Sequence, residues 1–333
     1  MATIYEVSEL AGVSLATVSR VMNDSSKVSP KTRAKVEAAM KELDYSPNPI
    51  AQSLASSQSN TVGVLVPELH GPFFGVILSG IEAELRVAGK QIIITVGHSE
   101  EKTEIESLDF LSTRRCDALI LYVYGVSDDY LVEFSESSVP VVFLNRLIPD
   151  KASQCISLDN ELGGYLATKS LLELGHRQLA YISGPLWKRD SAKRLKGHKR
   201  ALEEFGLSLN EQLMFEGNYE ESSGRRGIEH LLARAIPFSA LVCGNDEMAA
   251  GAMGAAREKG LAIPDDLSVI GFDNVFFTRY TYPELSSIDC PVEEMGRMAA
   301  RAVLRDAYGE DGLEIQNRFE PSLVRRASIS SIQ

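Results

Sequence analysis

The chain has 333 residues, 44% of them hydrophobic and 24% charged, with a formal net charge of −12. It exceeds one average domain and can fill a large core. No run of about 18 apolar residues offers a membrane span, and MATIYEVSEL carries acids where a secretory leader would be basic and then apolar. The expected compartment is therefore the cytoplasm, with no membrane partner. Cys116, Cys155, Cys243 and Cys290 lie far apart without a CxxC pair, which favours buried thiols over disulfides or metal ligands.

The sign of the charge argues against a nucleic-acid partner, but its distribution does not. Residues 1 to 60 hold six basic and six acidic side chains, so the whole negative excess lies beyond residue 60. Between Arg20 and Lys35 five basic residues face one acidic one. Positive charge is local, as a phosphate-contacting module requires, and the acidic remainder would repel a duplex and limit indiscriminate binding.

In chain order, Ile4, Val7, Leu10 and Ala11 recur at helical spacing, and Gly12 ends that helix where φ can turn positive. Ser14 follows as an N-cap for a second helix, Leu15 to Met22. In it Val18, Val21 and Met22 face inward, and Leu15, Ala16, Ser19 and Arg20 are left outside. This is a helix-turn-helix pattern whose second helix would enter a DNA major groove. Pro30 opens a third helix with Val36, Ala39, Met40 and Leu43 on one face. The segment SPNPIAQSLASSQSN that follows is too short and polar to hold a helix alone. It is either a tether or a helix formed only on binding.

From Thr61 strands and helices alternate. TVGVLVP, QIIITVG, CDALILYVY and VPVVFLN read as strands with helices between them; RQLAYISG, FSALVCG and LSVIGF form a second series. The expectation is two parallel, doubly wound lobes with a cleft beyond the strands' carboxyl ends. The loops there are 67–74, 122–125, 145–146, 184–194, 243–246 and 272–274.

The runs AGVSLATVSRVMN, VSPKTRAKVEAAMKELDYSPN, AQSLA, LGHRQLAYISGP, RLKGHKRAL, NDEMAAGAM, VIGFDN and PSLVRR, in this order and spacing, resemble the LacI/GalR family of bacterial transcription regulators over essentially the whole chain. The resemblance implies a helix-turn-helix domain at 1–46, a hinge helix and linker at 47–60, and a two-lobed periplasmic-binding-protein-like effector and dimerisation domain at 61–333. Its first lobe would be about 61–158 and 291–319, its second about 159–290 and 320–333.

It also implies roles. Leu15, Ala16 and Arg20 stand where the family reads base edges. Arg20 is suited to a bidentate guanine contact, whereas Leu15 and Ala16 offer only apolar contact. Tyr5, Ser14, Thr17, Ser19, Asn23, Ser29 and Thr32 would position the duplex through its backbone. Leu54 matches the leucine that wedges into the minor groove. Asp273 and Arg194 match the polar effector contacts, a carboxylate that accepts from sugar hydroxyls beside a guanidinium that donates to them. By residue chemistry rather than resemblance, Phe73, Phe74, Trp187 and Tyr219 could wall a pyranose ring or fill the core, with Asn145, Asn245 and Asp190 able to add hydrogen bonds. Trp187, amid polar residues at a strand end, is favoured for a ligand or cleft-rim role.

The expected function is a dimeric repressor of carbohydrate genes, bound to a pseudo-palindromic operator and released by a small sugar, working in the bacterial cytoplasm and on the nucleoid when DNA-bound. The chain ends in RRASISSIQ without leucine heptads, favouring a dimer over a tetramer. The alternatives are a regulator strengthened by a purine-like corepressor, or a cytoplasmic sugar-binding protein or enzyme. No GxGxxG after a strand, P-loop or HExxH is present and the five histidines lack ligand spacing, so no cofactor, metal or catalytic residue is expected.

Overall fold

The computed structural model describes residues 2–22, 27–46, 58–137 and 139–332. The chain divides into two compact units, Met1–Asn60 and Thr61–Gln333.

The small unit holds α1 (Ile4–Ala11), α2 (Leu15–Met22) and α3 (Pro30–Glu42). Thr3 caps α1 reciprocally: its backbone N–H donates to Glu6 Oε2 at 2.7 Å, and Glu6 N–H donates back to Thr3 Oγ1. Gly12 ends α1 at φ 63°, in the left-handed region. Val7, Val18 and Val36 are fully enclosed, with Ala11, Val21 and Ala39 around them. Leu10 departs from the sequence pattern and stays exposed, because the buried stripe of α1 runs through Val7 and Ala11, one helical turn apart.

The large unit is built on two six-stranded sheets. Its strands are β1 (Thr61–Val66), β2 (Gln91–Val96), β3 (Ala118–Leu121), β4 (Val141–Leu144), β5 (Cys155–Leu158), β6 (Leu179–Ser183), β7 (Met214–Glu216), β8 (Ala240–Cys243), β9 (Ser268–Asp273), β10 (Ser286–Asp289), β11 (Arg318–Phe319) and β12 (Ser322–Val324). The first sheet runs β11-β5-β4-β3-β1-β2 and the second β12-β10-β9-β8-β6-β7. Every pairing is parallel except β12 against β10, which is antiparallel. Thus the chain passes between sheets three times: after β5, after β10 and after β11. Central strands such as β1, β3 and β8 are buried on both faces, as helices on both sides of a parallel sheet require.

The helices are α4 (Pro72–Val87), α5 (Glu101–Thr113), α6 (Asp128–Ser137), α7 (Asn160–Glu173), α8 (Arg189–Glu204), α9 (Glu221–Ala233), α10 (Asp246–Glu258) and α11 (Val292–Tyr308). Three pairs cross backbone to backbone through reciprocal glycines. A Cβ on Gly80 of α4 would fall on the Glu293 carbonyl of α11, and one on Gly296 of α11 on the Ile77 carbonyl of α4. Gly164 and Gly197 join α7 to α8 in the same way, and Gly224 and Gly251 join α9 to α10. All four cysteines are buried free thiols. No helix among the described residues is long and apolar enough to cross a membrane.

Candidate functional site

The carboxyl ends of both sheets face one cleft, and its walls come from strand-to-helix loops. Between β1 and α4, Gly71 at φ 82° turns the chain so that Phe73 and Phe74 open the helix. Tyr122 and Tyr124 follow β3. Asn145 after β4, Tyr219 after β7, and Asp273 and Asn274 at the end of β9 all have positive φ, a conformation that non-glycine residues keep only where surrounding contacts hold it. The Tyr219 ring lies where a Cβ on Gly184 would be, so the glycine after β6 makes room for it.

A cavity of about 80 Å³ lies between these loops. Of the nine effector candidates from the sequence, Phe73, Phe74, Asp190, Arg194, Tyr219, Asn245 and Asp273 line it, joined by Glu68, His70, Tyr122, Tyr124, Lys188, Asn218, Glu220 and Glu247. Trp187 lies outside the cavity, largely exposed, its ring edge-on to Tyr124. Asn145 lies behind Tyr122. Its Nδ2 donates to Tyr122 Oη at 2.6 Å, and its Oδ1 accepts from Asn160 Nδ2 at 3.0 Å.

That last bond starts a relay. Asn160 Oδ1 accepts from Arg194 Nε at 2.9 Å, Arg194 Nη1 donates to the Gly244 carbonyl at 2.6 Å, and Nη2 sits 3.3 Å from Asp273 Oδ1. The guanidinium carbon lies over the Phe272 ring, 3.7 Å from its centre. Tyr122, on the first sheet, is thereby wired to Asp273, on the second.

Arg194 is buried, which opposes its charge, yet Asp273 beside it makes it more basic than usual. For Asp273, burial outweighs the guanidinium, and its carboxyl is raised to about 7. No hydrogen bond among the described residues reaches its Oδ1, which is buried: the ion pair is close but not aligned for one. Asn245 is committed, its Oδ1 capping α10 through Met248 N–H and its Nδ2 donating to the Tyr219 carbonyl.

Around the cavity, Tyr124 Oη donates to Asp190 Oδ2 at 2.7 Å, and Asp128 accepts from Arg146 at 2.8 Å and from Arg189 at 2.8 Å. Tyr124, Asp128 and Arg146 belong to the first-sheet half, Asp190 and Arg189 to the second. Glu104, fully buried on α5, accepts from the backbone N–H groups of Tyr124, Gly125 and Val126 and so holds the Tyr124 loop. A buried helix glutamate opposite a glycine-containing strand end was the available signal, and sequence reasoning passed over it.

In the small unit, Ala16 and Arg20 are exposed on α2, with Leu15, Thr17 and Ser19 half-buried beside them. Tyr5 is exposed on α1. Ser14 and Thr17 share a hydroxyl hydrogen bond of 2.9 Å at the start of α2, and Ser29 and Thr32 repeat it at the start of α3. At both helix starts the serine hydroxyl also accepts from the threonine N–H, so hydroxyls and first-turn N–H groups are gathered there, the chemistry of phosphate contact. Asn23, Leu54 and the expected hinge helix within 47–57 lie outside the described residues.

Comparison with known proteins gives the same two parts. Residues 3–48 match the family model of bacterial regulatory proteins of the lacI family, and residues 59–321 that of periplasmic binding proteins and the sugar-binding domain of the LacI family. The chain is 38% identical over 331 residues to the HTH-type transcriptional regulator GalR of Escherichia coli, covering 99% of this chain and 96% of that one. Its fold is similar to a lac repressor dimer solved bound to operator and an anti-inducer (TM-score 0.87, 31% identity, 99% of each chain). It is also similar to a complex of the regulator CelR with cellobiose (TM-score 0.72, 32% identity, 98% of this chain and 100% of that one).

Proposed function

The chain belongs to the LacI family of bacterial regulatory proteins, and from that premise we propose that it represses carbohydrate-utilisation genes and is released by a small sugar. It is a DNA-binding transcriptional regulator, not an enzyme, and acts as a dimer on operator DNA. Residues 1–46 read the operator, 47–60 form the hinge, and 61–333 bind effector and partner subunit. Arg20 supplies hydrogen-bonded base readout, Leu15 and Ala16 apolar contact, and Leu54 the minor-groove wedge. The protein works in the cytoplasm, on the nucleoid when DNA-bound.

The observation that carries the effector reading is the Arg194–Asp273 pair, 3.3 Å apart at the floor of an aromatic-walled cavity. A fixed donor and a carboxylate acceptor beside ring faces suit a polyhydroxylated ring. The two halves enclosing it have open and closed arrangements, and effector shifts their populations. A ligand favouring the DNA-incompetent arrangement about 100-fold displaces the balance by about 2.7 kcal/mol. Titration of a palindromic operator fragment with the full-length dimer tests this: a sugar should weaken binding. If sugars leave operator affinity unchanged the reading fails, and if a ligand strengthens it the protein is corepressor-dependent.

A further inference from the structure

We propose that the effector is an uncharged glycoside of at least two rings, one sugar in the cavity and the next ring at the rim against Trp187 and Tyr124, with phosphorylated sugars rejected. This rests on the sugar reading of the cleft and narrows it.

The first observation is a continuous aromatic track. Ring centres step from Phe73 to Phe74 (5.2 Å), Phe74 to Tyr122 (5.3 Å), Tyr122 to Tyr124 (5.5 Å) and Tyr124 to Trp187 (6.3 Å). The first four residues line the cavity; the fifth lies beyond it with 59% of its surface exposed. An indole left this open at the mouth of a binding cavity forfeits burial that its size would otherwise return. The surface that could recover it is the face of a ring continuing outward from the cavity. Lys188 stands at the junction, its ammonium 4.6 Å from the Tyr124 ring centre, 5.6 Å from Trp187 and 5.7 Å from Tyr219. There it can donate to hydroxyls of either sugar.

The second observation is the charge around the cavity. Glu68, Asp190, Glu220, Glu247 and Asp273 line it against two fixed cations, Lys188 and Arg194. Arg194 is committed to Asn160, Gly244 and Asp273. Three of the helix N-termini at the cavity, ordinary seats of phosphate, already carry acids, and the fourth, that of α4, carries none but has Glu247 Oε1 3.0 Å from where a Cβ on Gly71 would be. Asp190 takes the Ser191 N–H at the start of α8, Glu220 precedes α9, and Glu247 sits in the first turn of α10. A phosphate dianion would meet carboxylates at each of them. Burial chiefly, with Glu68 and Glu220 adding to it and His70 opposing, also pushes the Glu247 carboxyl up.

Calorimetric titration of the full-length protein tests both halves, using D-glucose, D-galactose, cellobiose, lactose, maltose and melibiose with glucose 6-phosphate and galactose 6-phosphate. The expected result is a disaccharide that binds about tenfold or more tighter than its own monosaccharide, a gain set by aromatic contact. Trp187→Ala should remove most of that gain and lower the disaccharide-to-monosaccharide ratio, while Trp187→Phe, which keeps a flat ring, retains it. Each 6-phosphate should bind at least about tenfold weaker than its parent sugar. An unchanged ratio in Trp187→Ala overturns the rim subsite, and tighter binding of a 6-phosphate overturns the neutral effector. If a monosaccharide binds with no disaccharide gain, this inference falls and the sugar reading stands. Binding of none of these sugars sinks both.

Discussion

Tyr124 donates a 2.7 Å hydrogen bond to Asp190 across the cleft, from the loop after β3 on the first sheet to the first turn of α8 beside the second. Removing only the hydroxyl, in Tyr124→Phe, takes this bond from across the cleft and leaves the ring in place. Such bonds contribute about 1.5–3 kcal/mol. Effector affinity should fall roughly tenfold or more, with operator affinity in the absence of effector equal to or above that of the parent. Unchanged effector affinity in titrations of this variant would show that the bond does not bias closure.

Arg194→Ala strands Asp273 in the cavity floor and opens the relay at Asn160. Breaking a buried pair by removing one partner costs about 3–5 kcal/mol, so the large unit should melt several degrees lower. Effector response should vanish while operator binding persists at temperatures where the protein stays folded. Loss of operator binding under those conditions would contradict the assignment of Arg194 to effector alone.

The Asp273 carboxyl, raised to about 7 against an ordinary value of 3.8, makes effector binding pH-dependent. Because the folded state holds this proton more tightly than the unfolded chain, its contribution to stability is full below pH 3.8 and is lost as pH rises through 7. The ionised form is the stronger acceptor for a sugar hydroxyl. Effector affinity should therefore fall on acidification below 7, by up to about tenfold per pH unit, and level off above pH 8. Calorimetry across that range with the parent and Asp273→Asn checks it, the variant giving a weak and flat profile. A parent profile as flat as the variant's would remove Asp273 from the contact.

Leu54→Ala should weaken binding to a specific operator fragment far more than binding to random duplex. The unstacking a wedge achieves is repaid only where the bent duplex fits, whereas non-specific affinity is phosphate electrostatics. Equal losses on both duplexes would count against the wedge.

Most of this architecture is legible in the chain because its signals are strong. Seven strands are mainly apolar runs, and each helix start near the cleft carries proline, a cap residue or acids. What escaped was short or disguised. β5 is CISL and β7 is MFE, four and three residues that read as loop ends, and α9 mixes Gly224 and Gly227 with charges. β11 and β12 are held by pairing with strands some 160 and 35 residues earlier in the chain, information that no local pattern holds. The site follows the same rule. Asp273 and Arg194 came from the family resemblance, and Phe73, Phe74 and Tyr219 from residue type in the loops beyond the strand ends. The acidic lining from Glu68, Glu220 and Glu247 came from neither, because surface-like glutamates become a site only when three separate loops converge.

The three glycine crossings, Gly80 with Gly296, Gly164 with Gly197 and Gly224 with Gly251, bring helix backbones into direct contact with no side chains between them to slide or repack. Each half of the large unit is in effect one solid piece. On the proposed two-arrangement reading, a ligand would move one half against the other through the three chain passages between the sheets, and a small displacement at the cleft would return as a swing of a whole half. The gearing lies in the stiffness of the halves, and the glycines set it.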